Sequence, residues 1–160
     1  MKLWQFLLLA ILCLAIQYLL PQVWRPLLYI DFFLVFVFHA SRAVSSTKSV
    51  WQGFLAGLLQ DLALSGLYPL GLQAIAKMTV GLLANFAGRH LNMDHPGVQT
   101  LFVFGFACLN NGLVYFLFTI FGQTCPMQSF LAMLFGAACT ALINFPIWII
   151  SSPPVQDGAR

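Results

Sequence analysis

GFLAGLLQDLALSGLYPLG, residues 53–71, is an apolar run of membrane length that carries one carboxylate, Asp61, near its middle and closes in a Gly/Pro turn. An ionised carboxylate at the centre of an apolar span costs about 2.5–3.5 kcal/mol on insertion scales, so it requires a partner, a cavity or a task there. Asp61 is therefore the residue around which the other helices must be arranged.

Composition sets the class. Of 160 residues, 61% are hydrophobic and 7% charged, with mean hydropathy +0.89. So little polar surface cannot cover a soluble globule, and the chain reads as an all-α integral membrane protein. A spanning helix takes about 20 apolar residues, and nearly the whole chain is used up by such windows. Residues 1–150 therefore form a single domain, a compact bundle of six transmembrane helices, and SSPPVQDGAR, residues 151–160, is a short disordered cytoplasmic tail. The formal charge of +3 comes from scattered basic residues and leaves no footprint for nucleic acid. Cys13, Cys108, Cys125 and Cys139 form no C-x-x-C pair and read as small apolar residues.

Lys2 and the run Leu3 to Leu20 lack a small-x-small cleavage site and predict an uncleaved first helix, ended by PQVWRP. A phenylalanine-rich second helix is expected from about Leu27 to Ala43, with Asp31 one turn inside its start. SRAVSSTKS reads as a loop, and Trp51 opens a third helix that ends near Tyr68-Pro69. The glycines at 53, 57 and 66 also suit a broken or re-entrant third helix. The fourth runs from about Leu70 to Gly88, the fifth from Val98 to Phe121 and the sixth from Ser129 to Ile150. Between the fourth and fifth lies RHLNMDHPG, with Pro96 and Gly97 as its stop signal.

Six spans put Lys2, Arg42, Lys48, Arg89 and Arg160 on one side and Arg25 alone on the other, so both termini are cytoplasmic by the positive-inside rule. Trp4, Trp51 and Trp148 then fall at the inner interface, and Trp24, Tyr29 and Tyr68 at the outer.

Taking Pro69 as the pivot, Asp61 and Lys77 each lie eight residues from it. Both would then sit roughly 12 Å below the turn, level with each other. Intramembrane charges usually pair, so an Asp61–Lys77 ion pair is expected, with Asp31 as a rival partner that the lysine stem reaches by snorkelling. Gly53 with Gly57, and Ala132 with Gly136 and Thr140, offer flat faces for close helix packing, internal in the first instance and to a second copy of the chain as the alternative. Asn85, Asn110, Asn111 and Asn144 lie within spans and read as interhelical hydrogen-bonders.

Catalysis finds little footing. His90, Asp94 and His95 come close in HLNMDH but lack a third rigid ligand, His39 reads as another loop histidine, and neither a nucleophile with a base nor a phosphate-cradling loop is present. A non-enzymatic protein without metal or cofactor is expected.

The longer segment GFLAGLLQDLALSGLYPLGLQAIAKMTVGLLANFAGR resembles the characteristic segment of the MreD family of rod shape-determining membrane proteins. That pattern is a G-x-x-x-G-L-x-x-D helix, a small-residue turn, then P-L-G opening the next helix. It falls here on Gly53, Gly57, Leu58, Asp61, Ser65, Gly66, Pro69, Leu70 and Gly71. The resemblance implies a multi-pass scaffold of the bacterial inner membrane, part of the elongation machinery that builds peptidoglycan. Its implied partners are MreC first, then RodA, a class B penicillin-binding transpeptidase and MreB, with membrane lipid around it.

The fold so implied is also similar to the substrate-binding subunits of energy-coupling-factor vitamin importers, which supply the alternative reading. Those subunits present an alanine-x-x-x-alanine face on the first helix, whereas Ala10 and Ala15 are five residues apart and share no face. An ion-coupled transporter would need ionisable groups across the bilayer, and Asp31, Asp61 and Lys77 leave the inner half empty.

Overall fold

The computed structural model describes residues 3–23, 30–42, 44–63, 69–91, 93, 95–122 and 130–151. These form six helices: α1 (Leu3–Val23), α2 (Phe32–Arg42), α3 (Ser46–Ala63), α4 (Leu72–His90), α5 (Pro96–Ile120) and α6 (Phe130–Ser151). All regular structure among the described residues is helical.

α2 is the shortest helix, and it touches all five others. FFLVFVF is apolar on every side, and a helix without a polar face is driven to the middle of a bundle. Leu34, Val35 and Phe38 of α2 accordingly meet Val80 and Ala84 of α4, Val103 and Ala107 of α5, and Ala137 and Ala141 of α6 in one core. Phe33 and Val37 meet Phe6 and Ala10 of α1 and Ala56 of α3 in a second. Among the described helices α1 contacts α2 and α3 alone, so it lies at the edge of the bundle.

The helix ends differ from the sequence reading in ways that local chemistry explains. α2 begins at Phe32, so Asp31 caps it from outside instead of sitting a turn within: its Oδ1 accepts from the Leu34 N–H at 3.0 Å, the N3 amide. α3 begins at Ser46, five residues before Trp51, and takes up part of the polar run assigned to the loop. Pro96 stands at the first position of α5, where its missing N–H costs nothing, and His95 Nδ1 accepts from the Gly97 N–H at 3.2 Å. Pro96 is thus a helix start.

At 11 residues α2 is about 16 Å long, half the thickness of a hydrocarbon core. By length and composition one helix among the described residues, α5, is long and apolar enough to cross a membrane. Ser151, assigned to the tail, is the last residue of α6; Trp24, Tyr29, Tyr68, Arg25, Asp94, Cys125 and residues 152–160 lie outside the described residues, as does the Trp148 side chain.

Candidate functional site

α3 and α4 share the most extensive contact of any helix pair among the described residues. Gly53 lies against the Lys77 carbonyl and the Met78 Cα, and Gly57 against the Gln73 carbonyl and the Ala74 Cα; a Cβ at either position would overlap this backbone. Gly81 of α4 returns the contact, since a Cβ there would stand 2.7 Å from the Ser49 carbonyl oxygen. The G-x-x-x-G face is therefore spent on internal packing. It sets the register of the hairpin, with residue 53 opposite residue 77 and residue 57 opposite residues 73 and 74.

One turn beyond Gly57, that register delivers Asp61 to the start of α4. Asp61 is fully buried. Its Oδ2 accepts from the N–H groups of Gly71 (2.9 Å) and Ala74 (3.2 Å), and its Oδ1 from the N–H of Gln73 (3.2 Å). The first amides of a helix have no partner within it and carry the positive end of its dipole. A carboxylate from the neighbouring helix thus caps α4, which has no side-chain cap of its own. Gly71 makes this possible with φ of +99° and ψ of −12°, a left-handed conformation that a side chain would resist and that turns its amide back onto Asp61.

Lys77, also fully buried, pairs with Asp31 and not with Asp61: its Nζ lies 2.5 Å from Asp31 Oδ2 and donates to Gln73 Oε1 at 3.3 Å. The expected Asp61–Lys77 pair fails on register. Gly53, not Asp61, is level with Lys77, and eight residues of α3 put Asp61 about 12 Å nearer the hairpin. The pairing of residue 53 with residue 77 centres the register on position 65, not on Pro69.

The network runs on into α6. The Asp31 N–H donates to Thr140 Oγ1 (3.0 Å), and the Thr140 hydroxyl donates to the Gly136 carbonyl (2.8 Å). Asp31 thereby caps α2 and neutralises Lys77 of α4 with its carboxylate, and ties α2 to α6 with its backbone amide. Gln73 and Thr140 were absent from the expected charge site. Gln73, one turn before Lys77 on the same face, was the readable signal; nothing in the sequence marks Thr140 as Asp31's partner.

Among the other pattern residues, Leu58 is half-buried, Leu70 is exposed and Pro69 supplies the carbonyl that accepts from the Leu72 N–H at 3.5 Å. Ser65 and Gly66 lie outside the described residues.

The asparagines bond between elements as expected, except that Asn110 Oδ1 is buried without a protein partner among the described residues. Asn111 Nδ2 reaches the Met133 carbonyl (3.2 Å), and Asn144 Oδ1 accepts from His39 Nε2 (2.7 Å), which places His39 within the bundle and not in a loop. The described residues include no cluster of three potential metal ligands. What the arrangement does chemically is satisfy buried charges and helix ends while holding α2, α3, α4 and α6 in fixed register.

No family model, curated protein or solved structure matches this chain.

Proposed function

We propose that the chain is a multi-pass protein of the bacterial inner membrane, a six-helix bundle with both termini cytoplasmic, and that it serves without catalysis as a scaffold of the cell-elongation machinery. The observation that carries the membrane placement is the distribution of apolar side chains. Large ones stand exposed on every helix but α2, among them Leu8, Leu62, Phe86, Leu101 and Leu142, while Asp61 and Lys77 are fully buried. That is the arrangement a hydrocarbon solvent selects, because charge must be satisfied inside and apolar surface is free to face out.

The scaffold reading draws on the MreD-like pattern. Its described residues come together as one unit in which Gly53 and Gly57 seat α4, Gly71 turns the chain and Asp61 caps the helix that follows. A hairpin held this tightly presents a rigid outer face to other membrane helices. With short connections between successive helices, partners would be met through helix faces and loops.

The test is co-purification from detergent-solubilised membranes in which the tagged chain is expressed with MreC, RodA, the class B transpeptidase and MreB. MreC is expected in stoichiometric amount. Recovery of intact chain without MreC would overturn the scaffold assignment.

A further inference from the structure

At the end of the bundle where α2 stops, α3 starts and α4 stops, the structure gathers Arg42, Lys48 and Arg89. The turn between α2 and α3 is bolted to α4 there. Asn85 Nδ2 donates to the carbonyls of Ser41 (2.8 Å) and Val44 (2.6 Å), its Oδ1 accepts from the Ser46 hydroxyl (3.0 Å), and Arg89 Nη2 donates to the Val44 carbonyl (3.3 Å). Gly88 lets the chain at Arg42 approach α4, since a Cβ on residue 88 would stand 3.2 Å from the Arg42 carbonyl oxygen. Lys48 and Arg89 are exposed, and the half-buried Arg42 holds its guanidinium carbon 5.6 Å from the centre of the Phe38 ring. Arg89 and Arg42 are therefore held at this turn, and Lys48 stands exposed on the first turn of α3 beside it.

Aromatic side chains lie one helical turn from the two exposed cations, on the apolar side. Trp51, 59% exposed, follows Lys48 by three residues on the same face of α3, and Phe86, 61% exposed, precedes Arg89 by three residues on α4. Cation outermost, aromatic ring next and aliphatic surface beyond is the order met along a phospholipid from phosphate to acyl chain.

We propose that this turn is a docking site for the phosphate headgroup of an anionic phospholipid, gripped by the exposed Arg89 and Lys48 with Trp51 at the headgroup boundary. The inference rests on the membrane placement above. Guanidinium groups match phosphate oxygens in bidentate geometry. An acidic peptide would satisfy the cations equally, but it has no use for the exposed rings and aliphatic surface that continue from them.

The experiment uses the full chain reconstituted in phosphatidylcholine bilayers containing a trace of spin-labelled phosphatidylglycerol or spin-labelled phosphatidylcholine, with the protein-restricted lipid fraction read by electron paramagnetic resonance. Wild type should restrict phosphatidylglycerol preferentially. The preference should fall by about fivefold for each cation removed, in Lys48→Gln and Arg89→Gln, as expected for one basic residue at an anionic surface. Lys48→Gln is the safer variant because it leaves the bolted turn intact, and Arg89→Lys should keep most of the preference. Equal restriction of both lipids by wild type, or an unchanged preference in the double variant, would overturn the site while leaving the membrane placement standing. A chain that fails to float with the bilayers would instead overturn the placement itself, and the site with it.

Discussion

Gly53 of α3 lies directly against the backbone carbonyl of Lys77 in α4. This contact sets the α3–α4 register, and overpacking at such a site costs roughly 1–3 kcal/mol. Gly53→Ala and Gly57→Ala should each lower the unfolding temperature of the purified protein in detergent, followed by circular dichroism. Gly105→Ala and Gly112→Ala on α5 meet nothing within 4 Å and serve as controls. They should be neutral or stabilising by up to about 1 kcal/mol, since alanine is the better helix former. Equal stability of Gly53→Ala and Gly105→Ala would refute the register.

Asp61 should tolerate loss of charge better than loss of its oxygens. Asp61→Asn keeps one acceptor for the α4 amides, whereas Asp61→Ala strands two buried N–H groups, those of Gln73 and Ala74, each worth about 1–3 kcal/mol when unpaired, and the part-buried N–H of Gly71. Melting temperatures should rank wild type, then asparagine, then alanine. Because Lys77 is bonded elsewhere, adding Lys77→Met to Asp61→Asn should bring no recovery.

Lys77 and Asp31 should instead behave as one unit. Lys77→Met leaves the Asp31 carboxylate without its cation, and breaking a buried pair costs about 3–5 kcal/mol. Asp31 is 16% exposed, which puts its penalty toward the lower end of that range. Asp31→Asn with Lys77→Met removes both charges while the amide oxygen can still cap α2 at Leu34, so the double variant should regain most of the stability lost by Lys77→Met. A double variant no more stable than Lys77→Met would rule out the coupling.

The proposed topology has its own check. Reporter fusions after Lys48 and Met93 should report cytoplasmic, and those after Pro26 and Gln123 periplasmic. A periplasmic signal after Lys48 would reverse the orientation and move the cationic turn to the other leaflet.

The helices were legible in the sequence because long apolar runs punctuated by Pro and Gly have few other conformations open to them. α5 and α6 appear within two residues of their expected bounds. α2 and α3 were placed less well. The polar residues Ser46, Thr47 and Lys48 read as loop, yet they continue a helix whose end is exposed, and an exposed turn of helix leaves its polar side chains in contact with solvent.

The sequence by itself determined the all-α class, the six helices found among the described residues, the close-packing face at Gly53 and Gly57, and the need for Lys77 to find a carboxylate. Only the tertiary structure decided which one. Counting residues from a turn gives depth along two helices only when the pivot is known, and the pivot here is set by which carbonyls of α4 fit against the bare backbone at Gly53 and Gly57. That fit is a steric contact between surfaces distant in sequence. It shifts Asp61 along α3 to the N-terminus of α4, where unpaired amides replace a cation as its partner, and leaves Lys77 to the Asp31 carboxylate at the head of the central helix.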